Sequence, residues 1–153
     1  MNIKSVTSSL QLLYEKDYQI WLEETVKLLS DRSFDRLDLD NLIEEIKDMG
    51  KSQKEAVESN LTILLMHLLK YQYQPEKRQD SNSWRSSIVE HRRRLLRTFK
   101  RNPSLKRYFD EVFDECYQDA RQDAKTETQL PLNIFPKTCP FTKEDILNPD
   151  FLP

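Results

Sequence analysis

Glycine is almost missing from this chain. Gly50 is the only one in 153 residues, and that scarcity excludes whole classes of function. Phosphate-cradling loops need several glycines at set spacing, because only a residue without Cβ lets the backbone approach phosphate closely. No such loop can be built here. Turn-rich β-sandwiches and barrels are disfavoured by the same shortage.

Cysteine is also scarce. Cys116 and Cys139 stand far apart and outside any C-x-x-C pairing, which speaks against a disulfide framework or zinc site and for reduced thiols. Long apolar runs are missing too. The best, Leu61 to Leu69, is interrupted by Thr62 and His67 and is too short to span a bilayer. The opening MNIKSVTSSLQLL lacks the apolar core of a signal peptide. Finally, 24 Lys+Arg against 26 Asp+Glu leave no global field for nucleic acid or membrane. The expectation is a cytoplasmic protein with no membrane contact.

What the chain does have is helical periodicity. Tyr14, Tyr18, Trp21, Leu22, Thr25, Leu28 and Leu29 share one face of a helix expected from about Tyr14 to Leu29. A second is expected from Asp40 to Gly50, with stripe Leu42, Ile43, Ile46 and Met49. Asn41 and Glu44 would be its capping pair, and Gly50 its left-handed terminator. A third, Ser52 to Gln72, is apolar nearly all round through Val57, Leu61, Leu64, Leu65 and Leu68, as a central helix would be. Ser83 is the expected N-cap of a fourth, with stripe Trp84, Ile88, His91, Leu95 and Phe99. Asn102-Pro103 restarts the chain into a fifth carrying Leu105, Phe109, Val112, Cys116 and Ala120.

Five of the seven prolines fall in the last 23 residues, interleaved with Ile134, Phe135, Phe141, Ile146 and Phe151. A solvated tail would be poor in such residues. The expected organisation is an all-α single domain: an N-terminal extension over 1–13, a bundle of four to five helices over 14–127, and an extended proline-rich strap over 128–153. One short helix should begin after Thr142.

Several segments, in order, match a known pattern: NLIEEIKDMG, HLLKYQYQP, SWRSSIVEHR, NPSL, YQDARQDAKTETQLP, FPKTCPFT and ILNPDFLP. From about Tyr14 to the terminus the chain resembles the bacterial family catalogued as domain of unknown function 29. The resemblance implies an all-helical bundle with a C-terminal strap. It implies no activity and supplies no catalytic residues.

Four constellations are candidates for chemistry. The first is sorted charge. Arg85 to Arg107 holds nine bases against Glu90 alone, whereas Asp110 to Glu127 holds seven acids and two bases. Arg93, Arg94, Arg97 and Arg101 could track a phosphate backbone. The favoured reading is a solvated face, its field partly cancelled by the acidic helix beside it.

The second is Arg85 with Arg92, placed at the edge of the apolar stripe. A buried guanidinium needs a carboxylate, and Asp119, Asp123, Glu127, Glu45 and Asp48 are the available ones. An inter-helix salt-bridge network is favoured over an anion site. The third is His67 with Lys70 and Gln74, at i, i+3 and i+7, where a satisfied core histidine is favoured over a general base.

The fourth is metal. Glu44, Glu45 and Asp48 with Glu111 and Asp114 are similar to the acidic motifs of all-α nucleotide pyrophosphohydrolases. Glu44, Glu111 and Asp114, however, face away from their helices' apolar stripes, whereas ligands in a bundle project inward. Glu45, Asp48, Asp119, Asp123 and Glu127 are better placed, and would suit magnesium or manganese.

Three functions follow as expectations. The leading one is a non-enzymatic binding or regulatory module, with no cofactor, acting through a protein partner or by self-association. The others are a metal-dependent hydrolase of a nucleotide or phosphoester, and a nucleic-acid binder. Whether the chain is an enzyme stays open at this point.

Overall fold

The computed structural model describes residues 3–153, with side chains from residue 9 onward. It is all-α, with no strand among the described residues. Six α-helices follow in order: α1 (Ile3–Lys16), α2 (Tyr18–Ser30), α3 (Leu39–Tyr73), α4 (Asn82–Arg101), α5 (Ser104–Thr128) and α6 (Lys143–Leu147). Short 3-10 turns lie at Phe34–Arg36, Pro75–Asp80 and Leu132–Ile134. None of the described helices is long and apolar enough to cross a membrane. The chain divides into two compact units, Met1–Ser52 and Gln53–Pro153.

In the first unit, α1 takes in residues 3–13 of the expected N-terminal extension. The helix expected from Tyr14 to Leu29 is two helices, because Asp17 interrupts it. The Asp17 carboxylate accepts the Ile20 N–H at 3.2 Å and caps α2, a side-chain bond that competes with continued helix at that point. The apolar spacing runs through the break, so periodicity alone hides it. Trp21 is fully buried among Leu10, Leu28 and Leu37. Its indole N–H donates to Asp38 Oδ2 at 3.0 Å, and Asn41 Nδ2 donates to the same oxygen at 2.7 Å. Asn41 therefore does not form the expected capping pair with Glu44, which instead meets Lys47 at 3.1 Å in the open.

Gly50 terminates nothing. It has no left-handed φ, and α3 runs straight through it from Leu39 to Tyr73. One glycine costs a helix interior about 1 kcal/mol relative to alanine, and the proline-free neighbours Lys47–Lys54 outweigh that. The left-handed positions fall instead to Arg32 (φ 56°) and Gln129 (φ 59°).

The second unit is built on the latter half of α3. Leu61, Leu64, Leu65, Leu68 and Leu69 are all fully buried, as expected for a helix packed on several sides. Ile88, Leu95 and Phe99 of α4 and Phe109, Phe113, Cys116 and Tyr117 of α5 complete the cluster. Of the stripe expected on α5, Leu105 and Val112 are only partly buried. Ser81 rather than Ser83 precedes α4, and no side chain caps that end. Both cysteines are free.

The proline-rich strap contributes side chains to the core of the second unit. Phe135, Phe141 and Ile146 belong to this core, and α6 starts after Thr142, whose hydroxyl accepts the Asp145 N–H at 3.1 Å.

Candidate functional site

Several of the groups expected to do chemistry have partners of their own in the fold, and two, Arg92 and His67, keep a buried nitrogen without one. Arg92, only 3% exposed, meets no carboxylate among the described residues. Its Nε donates to the Ile146 carbonyl at 2.7 Å and its Nη1 to the Pro149 carbonyl at 3.4 Å, while Nη2 is buried without an acceptor. Burial lowers the pKa of this guanidinium. The expectation of a carboxylate partner from α5 or from Glu45 and Asp48 is thus corrected. The strap's backbone carbonyls do that work, because α6 lays them across α4.

Arg85 is placed differently. Its Nη2 donates to the Tyr71 hydroxyl at 3.0 Å, and its guanidinium lies 5.6 Å from the Tyr71 ring centre. Arg78 approaches that ring to 4.9 Å and donates through Nε to the Tyr71 carbonyl at 2.9 Å. Arg85 and Arg92 therefore have separate partners and no carboxylate in common.

His67 and Lys70 do come together, with Glu127. Lys70 Nζ pairs with Glu127 Oε2 at 2.5 Å and lies 5.0 Å from the centre of the Trp84 ring. His67 is pushed down to about 4 by burial first and then by the Lys70 charge, and its Nδ1 is buried without a partner. A general base works best with a pKa near the operating pH, so an imidazole this acidic is a poor one at neutrality. Gln74 is buried in the same unit. His91, expected inside the apolar stripe, sits with Nδ1 2.8 Å from Asn60 Oδ1.

The carboxylates expected as metal ligands are split between the units. Glu45 takes the Tyr14 hydroxyl at 2.6 Å and the Tyr18 hydroxyl at 2.5 Å. Those two hydrogen bonds hold its carboxyl below the usual range, and the first of them, ahead of burial, pushes Tyr14 up to about 12. Asp48 belongs to the same unit as Glu45. Asp119 and Asp123 line a groove of about 380 Å³ with Glu55, Glu58 and Glu115. Burial, then the charges of Asp119 and Glu127, raise the Asp123 carboxyl. Glu127 is the partner of Lys70. Among the described residues no three His, Cys, Asp or Glu side chains are placed to hold a metal ion.

One face of the basic helix is exposed, which both the solvated-face and the phosphate-tracking readings require. Arg93, Arg94, Arg97 and Arg101 are all on the surface, and Arg94 pairs with Glu90 one turn away. Two acids of α5 meet other partners: Asp110 takes Lys143 of α6 at 3.2 Å, and Glu111 takes Arg107 at 3.5 Å. Beside Arg92, α4 and the strap form a cleft of about 510 Å³.

Sequence reasoning missed Arg121, which mirrors Arg92. It donates through Nε and Nη2 to the Phe135 carbonyl at 3.2 and 3.0 Å, with a longer bond to Leu132 O at 3.4 Å. Its Nη1 reaches Gln118 Oε1 at 3.0 Å. The signal was available: Arg121 lies four residues after Tyr117 and three before Ala124, on the buried face of α5.

Residues 13–152 match the family described as Domain of unknown function DUF29. The chain belongs to the DUF29 family. That match covers both units of this DUF29 chain, strap included. No curated protein and no solved structure matches it.

Proposed function

We propose that this DUF29 chain is a non-enzymatic binding module whose docking element is the first half of α3, and that its first partner is a second copy of itself. One observation carries the reading. Leu39, Ile43, Ile46 and Met49 are between 41% and 67% exposed and recur along one side of α3. Scattered single hydrophobics need no explanation, but a contiguous row of large ones marks an interaction surface. Its spacing suits an apolar helix laid alongside.

Gly50 extends that row, four residues beyond Ile46 and seven beyond Ile43. A Cβ added there would meet nothing within 4 Å, so no contact among the described residues calls for glycine. A second helix crossing closely at that point would give it a reason, and a symmetric crossing uses the same patch on both copies. The hydrolase reading, in contrast, needs free carboxylates, and Glu45 is taken by two tyrosine hydroxyls while Glu127 is taken by Lys70.

Sedimentation equilibrium tests this directly. Wild type is expected to form a dimer at micromolar concentration, with Ile46→Lys and Met49→Lys monomeric and equally folded by circular dichroism. Gly50→Ala separates the readings further. It should weaken the dimer, whereas on a free helix it would only raise stability, by about 1 kcal/mol. A wild type that stays monomeric to several hundred micromolar, and is stabilised by Gly50→Ala, would sink self-association.

A further inference from the structure

The cleft beside Arg92 is independent of the α3 row and has a chemistry of its own. Its charged lining comes from Arg92, Arg93, Arg97 and Lys100, and no acid is among the residues that form it. Its apolar lining comes from Val89 and Leu96 of α4 and Pro149 of the strap. A volume near 510 Å³ is within the range of small-molecule sites.

Two features set it apart from an ordinary solvated helix face. The first is the company that cations keep with open hydrocarbon: Val89 is 58% exposed and lines the same cleft as the bases. The second is Arg92 itself. This buried guanidinium lines the cleft, spends two of its nitrogens on strap carbonyls, and leaves Nη2 without an acceptor. A buried cation that no carboxylate balances is costly, and an anion brought into the cleft would relieve it. Guanidinium groups also bind planar or tetrahedral oxyanions through paired N–H bonds.

We propose that this cleft binds a small amphipathic oxyanion, its phosphate or carboxylate head held by Arg92, Arg93, Arg97 and Lys100 and its aliphatic tail lying over Val89, Leu96 and Pro149. Neither half suffices alone. The head supplies charge complementarity, and the tail supplies apolar burial that grows with each methylene removed from water. Such a ligand could arrive as a free acyl or alkyl anion or as the headgroup region of an anionic lipid, and both present the same chemistry to the cleft.

The test is calorimetric titration of the full chain with decyl phosphate below its micelle concentration. Inorganic phosphate, decyltrimethylammonium and vesicles of anionic phospholipid serve as parallel probes. Decyl phosphate is expected to bind at least tenfold more tightly than inorganic phosphate, and the cationic amphiphile not at all. Arg97→Glu should weaken decyl phosphate at least tenfold. Val89→Asn should weaken decyl phosphate severalfold and leave inorganic phosphate unchanged. Both positions are exposed, and circular dichroism checks that each variant stays folded. Vesicle binding in addition to monomer binding would point to lipid as the source of the anion.

Four outcomes would overturn the proposal. They are no binding of decyl phosphate, equal binding of the cationic amphiphile, binding to vesicles without binding of the monomer, and tighter binding of a short single-stranded oligonucleotide than of decyl phosphate. None of these readouts depends on the α3 row, whose variants are scored by sedimentation.

Discussion

The strap is held at two places, and the two are built differently. At residues 132–135 the holder is Arg121 of α5; at residues 146–149 it is Arg92 of α4. Both arginines are buried, at 8% and 3% exposure, and both take backbone carbonyls instead of carboxylates. Arg121 engages all three of its nitrogens. Arg92, which lines a cleft, engages two and leaves Nη2 without an acceptor. The same side chain thus closes one end of the strap completely and leaves the other end with unspent capacity. A fully satisfied buried cation is a fastener, whereas a partly satisfied one is also an opportunity for a ligand.

The comparison can be broken by removing each holder. Arg121→Met should give the largest loss, about 3 kcal/mol, since several charge-assisted bonds vanish and buried carbonyls are orphaned. Arg92→Met should cost less, about 1 kcal/mol, because removing an unsatisfied donor offsets part of the lost bonding. Urea unfolding at pH 7 reads both. A loss at position 92 equal to or above that at 121 would show that donor satisfaction does not rank the two ends.

The pH dependence sharpens the contrast, because carbonyl acceptors do not titrate. Sensitivity to mild acid must come from elsewhere in the unit, and His67 is the group placed to supply it. Its pKa falls from 6.5 to about 4 on folding, so the unfolded chain takes up a proton that the native chain refuses. The contribution is complete above pH 6.5 and is lost as pH falls from there through about 4. His91 shifts in the same direction. Urea midpoints between pH 7 and 5 should therefore decline, and His67→Gln should flatten that slope. The two methionine variants should keep it.

The smallest effect is expected where α5 passes into the strap. Gln129 holds a left-handed φ of 59°, a conformation that costs a residue with a Cβ. Gln129→Gly should raise stability by about 0.5–1 kcal/mol. An unchanged or lower thermal midpoint would mean that the strap's entry does not carry that cost.

These contrasts also explain what could and could not be read from the residues. The cores of α3, α4 and α5 were legible because burial imprints a 3.6-residue period, and Leu61, Ile88 and Phe109 fall where that period puts them. The strap's aromatics were legible as well, since hydrophobic residues among prolines have to be buried somewhere. The break at Asp17 was not, because the apolar spacing continues across it while the cap acts locally. Gly50 misled for a related reason: a glycine can end a helix or sit inside one, and only its φ distinguishes the two. The partners of Arg85 and Arg92 were expected to be carboxylates, because side chains are what a sequence names. Arg92 found backbone oxygens instead, which every residue carries and no sequence labels, and Arg85 found a tyrosine.

That choice of acceptor has a consequence for how related chains can diverge. A carbonyl survives any substitution of the side chain beside it. Leu132, Phe135, Ile146 and Pro149 can each change identity without removing the oxygen that an arginine grips, provided the backbone path holds. Across relatives, Arg92 and Arg121 should then persist while their contact positions drift independently of them, with none of the paired substitutions that a salt bridge imposes on its two ends.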